Sequence, residues 1–336
     1  MKTNHNNIVN KLPKVELHCH LDGSVRVQTI IDIAKKENIN IPSFDVNQIN
    51  KLVRVNSDCT SLVDYLKTFD IPNRVMQSKY SLKRITFELL EDAANENIKY
   101  MEIRFAPLLH IHKGLSVDEI IESVLEGVYE AQSKYDIKAN LILSCMRTMT
   151  VEDALLVINS GRKFLGKGVI ATDLCGPELE GFCETFKDVM RIAKNYGYRI
   201  TIHAGEGASG KNVLDAINIL GAERIGHGVR INDIKIAYNA VKDNNVLLEI
   251  CPTSNIQTKA VDSYDNHPLY KFYKDGLKIS INTDNRTVSS INLTDELELI
   301  FDKYSLDIND YKKIYLDTVD ASFADEQTKK WLRNFI

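Results

Sequence analysis

Val15-Glu16-Leu17-His18-Cys19-His20-Leu21-Asp22-Gly23 is a mostly apolar stretch that carries two histidines and ends in a turn. Side chains at i and i+2 of a strand share a face. His18 and His20 therefore point the same way, close enough to share one ion. A stiff strand holds them at fixed separation, and Asp22-Gly23 bends the chain at its end. Alone, a His-x-His pair also fits two half-buried histidines. What the rest of the chain brings to the same place decides between the two.

Downstream, residues 25–38 have helical periodicity and 43–55 form a short helix or loop. In 58–70, Leu62, Tyr65, Leu66 and Phe69 recur at spacings of three and four, with Asp58 or Thr60 as the cap. Residues 78–97 are a longer amphipathic helix. A regular rhythm then begins, with strands at 98–106, 137–147, 168–174, 199–203, 224–227, 246–250 and 278–282. Helices fall between them at 116–135, 151–164, 182–195, 211–220, 231–242 and 269–275, and three more (293–304, 310–323, 326–335) end the chain. With the strand at His18 there are eight strands alternating with helices. Near-continuous apolar strands in such alternation mean a parallel sheet covered by helices. Eight units predict an α/β fold closed as a (β/α)8 TIM barrel, with additional helices after strand 1 and at the C-terminus. The rival open sheet lacks its Gly-x-Gly-x-x-Gly turn after the first strand. No linker or repeat divides the chain, so residues 1–336 are read as a single domain.

The composition is that of a soluble globular protein, with 44% hydrophobic and 26% charged residues. A formal net charge of −4 offers no basic excess to neutralise phosphates, which argues against nucleic acid or an anionic membrane surface. No apolar run is long enough to span a bilayer, and residues 1–14 lack the apolar core of a secretion signal. The six cysteines are scattered without paired spacing and read as reduced core residues of a cytoplasmic protein.

A barrel of this kind places its active site at the C-terminal strand ends. Those ends carry His18, His20 and Asp22 from strand one, and Asp173, Gly176 and Glu178 from strand four. Strand five adds His203 and Glu206, strand six His227, and strand eight Asp284 and Asn285. Singly, each has a structural role to play; jointly they make a metal site. Three neutral imidazoles and a carboxylate with room for water suit zinc, which lowers the pKa of that water to roughly 7. Strand four has no lysine to serve as a carbamylated bridge, so one metal is expected. His110-Ile111-His112 repeats the spacing but falls beyond Pro107, and is read as a pair of loop histidines; His5 and His267 have no evident partner. Glu206 is near the metal without being an obvious ligand, and a carboxyl against an apolar wall keeps its proton for donation. His227 can hold or take a proton beside the water. This set fits removal of an amine from a heteroaromatic ring, or amide hydrolysis.

His18-Cys19-His20-Leu21-Asp22-Gly23-Ser24, Asp173-Leu174-Cys175-Gly176, His203-Ala204-Gly205-Glu206, Ile225-Gly226-His227-Gly228 and Asn282-Thr283-Asp284 resemble the adenosine deaminase motifs, in order and over nearly the whole chain. The resemblance implies that His18, His20, His203 and Asp284 hold one zinc ion. It implies that Glu206 protonates purine N1, with His227 acting as base or electrostatic anchor. Gly176 would offer its N–H to N3, and Asp22 would bind the ribose 5′-hydroxyl near His20. The stripe Leu62, Tyr65, Leu66 and Phe69, which periodicity alone reads as core, would be an apolar gate over the pocket. Many animal members have a second aspartate where this chain has Asn285; an amide donates to N7 without taking up a proton. Residues 286–290 also depart from the animal pattern.

The expected activity is hydrolytic deamination of adenosine, and of 2′-deoxyadenosine, to inosine and ammonia in purine salvage. The His-x-Glu and Pro-Cys-x-x-Cys signature of zinc deaminases acting on nucleic acid is absent, which points to a free nucleoside. The rivals are a deaminase of adenine or a modified adenine nucleoside, an amidohydrolase acting on a different ring, and a non-catalytic nucleoside-binding protein. Oligomeric state is open, with a monomer allowed, and iron or cobalt fits the same ligands.

Overall fold

The computed structural model describes residues 9–56 and 59–336. Eight parallel strands pair in sequence order: β1 (Lys14–His20), β2 (Ile98–Phe105), β3 (Lys138–Met146), β4 (Val169–Cys175), β5 (Arg199–Ala204), β6 (Arg224–His227), β7 (Leu247–Ile250) and β8 (Ile279–Ile281). The ring closes just beyond β8. His20 N–H donates to the Asp284 carbonyl at 2.7 Å, and Asp284 N–H donates to the His18 carbonyl at 3.0 Å. This is the (β/α)8 barrel that the alternation predicts. Its closure sets the last strand's end beside the two histidines of the first.

Period-2 alternation sorts the strand residues. Leu17, Ile103, Ile202 and Leu248 are wholly buried in the apolar cluster shared with the helices. Their neighbours Glu16, His18, Glu102, Arg104, Thr201, His203 and Glu249 are buried and polar; His18, Arg104 and Thr201 converge on Glu249, while Glu16 meets Thr283, Glu102 meets Arg224 and His203 meets Asp173. Burying polar groups requires that they be paired, and each of these residues has at least one partner.

Local signals place the helices. Ser116 and Glu119 form the expected capping box at the start of Val117–Lys134. The 58–70 segment is not one helix. It runs as Leu62–Leu66, a 3-10 turn Lys67–Phe69 and a further helix Asp70–Val75. Its cap is Ser61, whose hydroxyl accepts from Asp64 N–H at 3.2 Å. Asp58 lies outside the described residues, and Thr60 instead donates to the Asp64 carboxylate at 2.5 Å. One helix escaped the sequence reading: Pro252–Gln257, between β7 and β8, with Pro at its first position. Among the described residues no helix is long and apolar enough to cross a membrane. All six cysteines are unpaired and buried.

Candidate active site

The mouth of the barrel gathers the residues that its strand ends carry. His18, His20, His203 and Asp284 each offer one ligand atom, and these atoms all lie within 4.8 Å of one another. His18 Nδ1 faces Glu249 Oε2 at 2.8 Å and His203 Nδ1 faces Asp173 Oδ1 at 3.0 Å. Each carboxylate accepts a hydrogen bond from Nδ1–H, which leaves the Nε2 lone pair directed at the common centre. There His20 Nε2 and His203 Nε2 stand 3.1 Å apart. Asp284 Oδ1 is 3.3 Å from His18 Nε2 and 3.4 Å from His20 Nε2. Ligands bound about 2.0–2.1 Å from a tetrahedral ion stand roughly 3.3 Å apart, and these three separations match. His18 Nε2 is buried and, among the described residues, makes no hydrogen bond. Burial is the main force holding His20 and His203 well below the usual histidine range, as neutral ligands. The residues present therefore fit a single divalent cation. Asp173 supports a ligand and is not itself in the set.

The backbone is bent to make this arrangement. Asp284 (φ 61°) and His227 (φ 64°) are both left-handed, a conformation that L-residues rarely adopt outside functional sites. A Cβ on Gly226 would come within 2.9 Å of the His18 ring, so that position needs glycine.

Glu206 sits on a loop that is fixed from below. The buried Glu178 carboxylate accepts N–H bonds from Gly205 (2.8 Å), Glu206 (2.9 Å), Gly207 (2.8 Å) and Ala208 (3.2 Å), and one from the Asn212 amide at 2.9 Å. Glu206 itself accepts from the Thr258 hydroxyl at 3.0 Å and lies 3.5 Å from His227 Nε2. Burial, then the charges of Asp284 and Glu178, push its carboxyl up to about 8. It is thus a protonated donor at neutral pH.

These groups open onto a cavity of about 210 Å³ whose walls include Leu62, Tyr65, Leu66, Phe69, Met146 and Gly176. The periodic stripe at 62–69, read from spacing alone as core, thus lines the pocket. His20, Asp22, Glu206, His227, Asp284 and Asn285 line it too, and among the described residues lining it none is Lys or Arg. Asp22 Oδ1 and Asn285 Oδ1 are buried and, among the described residues, accept no hydrogen bond. Burial pushes the Asp22 carboxyl up to about 6. Asn285 Oδ1 stands 1.8 Å from where a Cβ on Gly23 would be, so the side chain packs against Gly23 as it lines the pocket.

His110 lies in the connection after β2, as read, but it ends a 3-10 turn, is wholly buried, and stacks on Phe105 with centroids 6.0 Å apart. Burial pulls its ring down to about 3. His267 does have a partner, Asn255 Oδ1 at 3.3 Å, and so belongs to the surroundings of His227. The sequence reading also missed Glu249, Arg104, Asn255, Thr258 and Ser254, whose hydroxyl donates to Asp284 Oδ2 at 2.6 Å. A charge inside an apolar strand, as in Leu247-Leu248-Glu249-Ile250, was the available signal for the first two. The last three depend on the unexpected helix Pro252–Gln257 and the residue after it.

The sequence matches the family model described as Adenosine deaminase over residues 13–336. It is 57% identical over 326 residues to the adenosine deaminase of Clostridium botulinum strain Langeland, with 97% of each chain covered. Among solved structures, the Arabidopsis N6-mAMP deaminase superposes with a TM-score of 0.87 at 28% identity, covering 98% of both chains. An amidohydrolase from Burkholderia ambifaria, solved with bound Zn, superposes with a TM-score of 0.88 at 26% identity, covering 99% of this chain and 92% of that one. Barrel, ligand cluster and sequence agree, and the chain belongs to the adenosine deaminase family, hydrolases acting on carbon–nitrogen bonds.

Proposed function

We propose that the chain deaminates adenosine, and 2′-deoxyadenosine, to inosine and ammonia, using one zinc ion held by His18, His20, His203 and Asp284. The observation that carries this reading is a four-donor cluster and a protonated buried acid, Glu206, opening onto one cavity. A zinc ion there supplies Lewis acidity and lowers the pKa of water toward about 7. Glu206 donates its proton to purine N1 and draws electron density from C6. His227 anchors the reacting face beside Glu206. The Asn285 amide donates to N7, the Gly176 N–H to N3, and Asp22 accepts the ribose 5′-hydroxyl. The apolar walls at Leu62, Leu66 and Phe69 exclude water from the ring.

The cavity also supports a nucleoside over a nucleotide. A phosphate group calls for a cationic or N–H-rich partner. The wall instead offers the acid Asp22 and, among the described residues, no lysine or arginine. The unpaired cysteines suit a reducing, cytoplasmic setting. The direct test follows the absorbance change as adenosine becomes inosine, with and without chelator, against adenine and AMP. Turnover of adenosine that chelator abolishes and zinc restores is expected. Preference for adenine or AMP would overturn the substrate assignment.

A further inference from the structure

Resting on the deaminase reading, we infer that Asn255 fixes the position of the proton on His227, holding the neutral ring as its Nε2–H tautomer. His227 then serves the pocket as a hydrogen-bond donor rather than a proton acceptor.

Leu269 N–H can only donate, and it points at His267 Nδ1 at 3.1 Å. His267 Nδ1 must therefore hold its lone pair, so the neutral ring carries its proton on Nε2. That N–H faces Asn255 Oδ1 at 3.3 Å, which settles which way the Asn255 amide lies. The amide nitrogen, a donor, is then directed at His227 Nδ1 at 2.9 Å. His227 Nδ1 accepts, and the remaining proton is on Nε2. Asn255 is wholly buried, with His267 and His227 almost so, so water does not scramble the relay. Burial holds His267 down to about 4, which keeps its ring neutral, and at His227 an Nδ1 that accepts from the amide cannot also carry a proton. Turning the amide over would set two donors against each other at His267, inside the protein.

On the pocket side the pattern is complementary. The Thr258 hydroxyl donates to Glu206 Oε1 at 3.0 Å, so the acid's proton belongs on Oε2. Oε2 and His227 Nε2 are 3.5 Å apart, too far for a strong bond between them. Two donors stand side by side, both lining the cavity. A ligand that suits them presents two acceptors: the ring nitrogen lone pair for Glu206, and the oxygen joining the reacting carbon for His227. Asn255 and His267 touch neither; they are positioning residues.

The test uses histidine-selective 15N labelling of the metal-loaded enzyme and long-range 1H–15N correlation, with His227 assigned by comparison with His227→Gln. The wild type should show the Nε2–H pattern. Asn255→Asp keeps the size and the contact with His267, but offers His227 only an acceptor. It should convert His227 to Nδ1–H and lower kcat by about 10²–10⁴-fold, as wrong-tautomer variants do, with KM and metal content little changed. If Asn255→Asp does not fold, His267→Phe, which frees the amide to turn, is read the same way. An Nδ1–H pattern in the wild type overturns the inference, as does a flipped tautomer with kcat within about threefold of wild type. Failure of the wild type to turn over adenosine would instead defeat the deaminase reading, and leaves the spectrum to judge the tautomer on its own.

Discussion

Replacing Glu249 by glutamine should loosen both the metal site and the barrel beneath it. Glu249 is wholly buried and accepts from four donors: His18 Nδ1 (2.8 Å), Arg104 Nη2 (2.6 Å), Arg224 Nε (2.7 Å) and Thr201 Oγ1 (2.9 Å). A glutamine has the same shape but must turn an NH2 toward one pair of these donors. It also removes a negative charge from between two buried guanidinium groups. Arg224 keeps Glu102, but Arg104 is left with Asp173 at 3.4 Å. Breaking a buried ion pair on one side costs about 3–5 kcal/mol. Unfolding entropy of about 2.1 cal/mol/K per residue gives roughly 0.7 kcal/mol/K for a chain of 336 residues. The expected fall in Tm of the metal-stripped protein is therefore about 4–7 °C. His18 also loses the partner that fixes its tautomer, and losses of this kind lower metal affinity about 10–100-fold. Thermal unfolding by circular dichroism reads the first effect, and competition with a chromophoric chelator for zinc reads the second. A Tm within about 1 °C of wild type would refute the ion-network argument. A lower Tm with unchanged zinc affinity would show that the carboxylate supports the barrel without orienting His18.

Glu206→Gln should retain zinc and lower kcat about 10²–10⁴-fold, the usual contribution of a positioned acid; near-wild-type turnover in a steady-state assay would reject Glu206 as the donor. In the wild type, Glu206 donates only while protonated, and burial raises its pKa to about 8. Turnover should fall as pH rises through about 8, and a pH–rate profile flat to pH ~10 would contradict the assignment. Asp22→Ala should weaken kcat/KM for adenosine about 10–100-fold, the worth of a charged hydrogen bond, and leave adenine little affected; equal losses on both would remove the ribose contact. Gly23→Ala places a methyl where Asn285 Oδ1 now lies, 1.8 Å from the ideal Cβ. The amide must move away, so 7-deazaadenosine, which lacks N7, should lose less kcat/KM than adenosine does. Parallel losses would mean that Asn285 makes no use of N7.

What the sequence could and could not reveal follows from how local each signal is. The eight strands were legible because alternation and apolar runs are properties of neighbours, and the clustering of the four candidate ligands was legible because a barrel brings all strand ends to one rim. His227 and Asp284 were found this way although both take a strained backbone that no propensity favours. The apolar stripe at 62–69 marks the limit, because spacing shows that a face is buried and not whether protein or ligand covers it. The supporting shell was less legible for a different reason. Asn255 lies in a short helix whose only local mark is Pro252, and its role appears only when β6 and the segment before Leu269 are brought against it. His267 looked solitary because its partner is joined to it by hydrogen bonding across the fold, not by a motif. A ligand set can be read from residue types at strand ends, since the metal constrains those types directly. The groups that decide which nitrogen holds a proton are constrained only by direction, and direction exists only once the chain has folded.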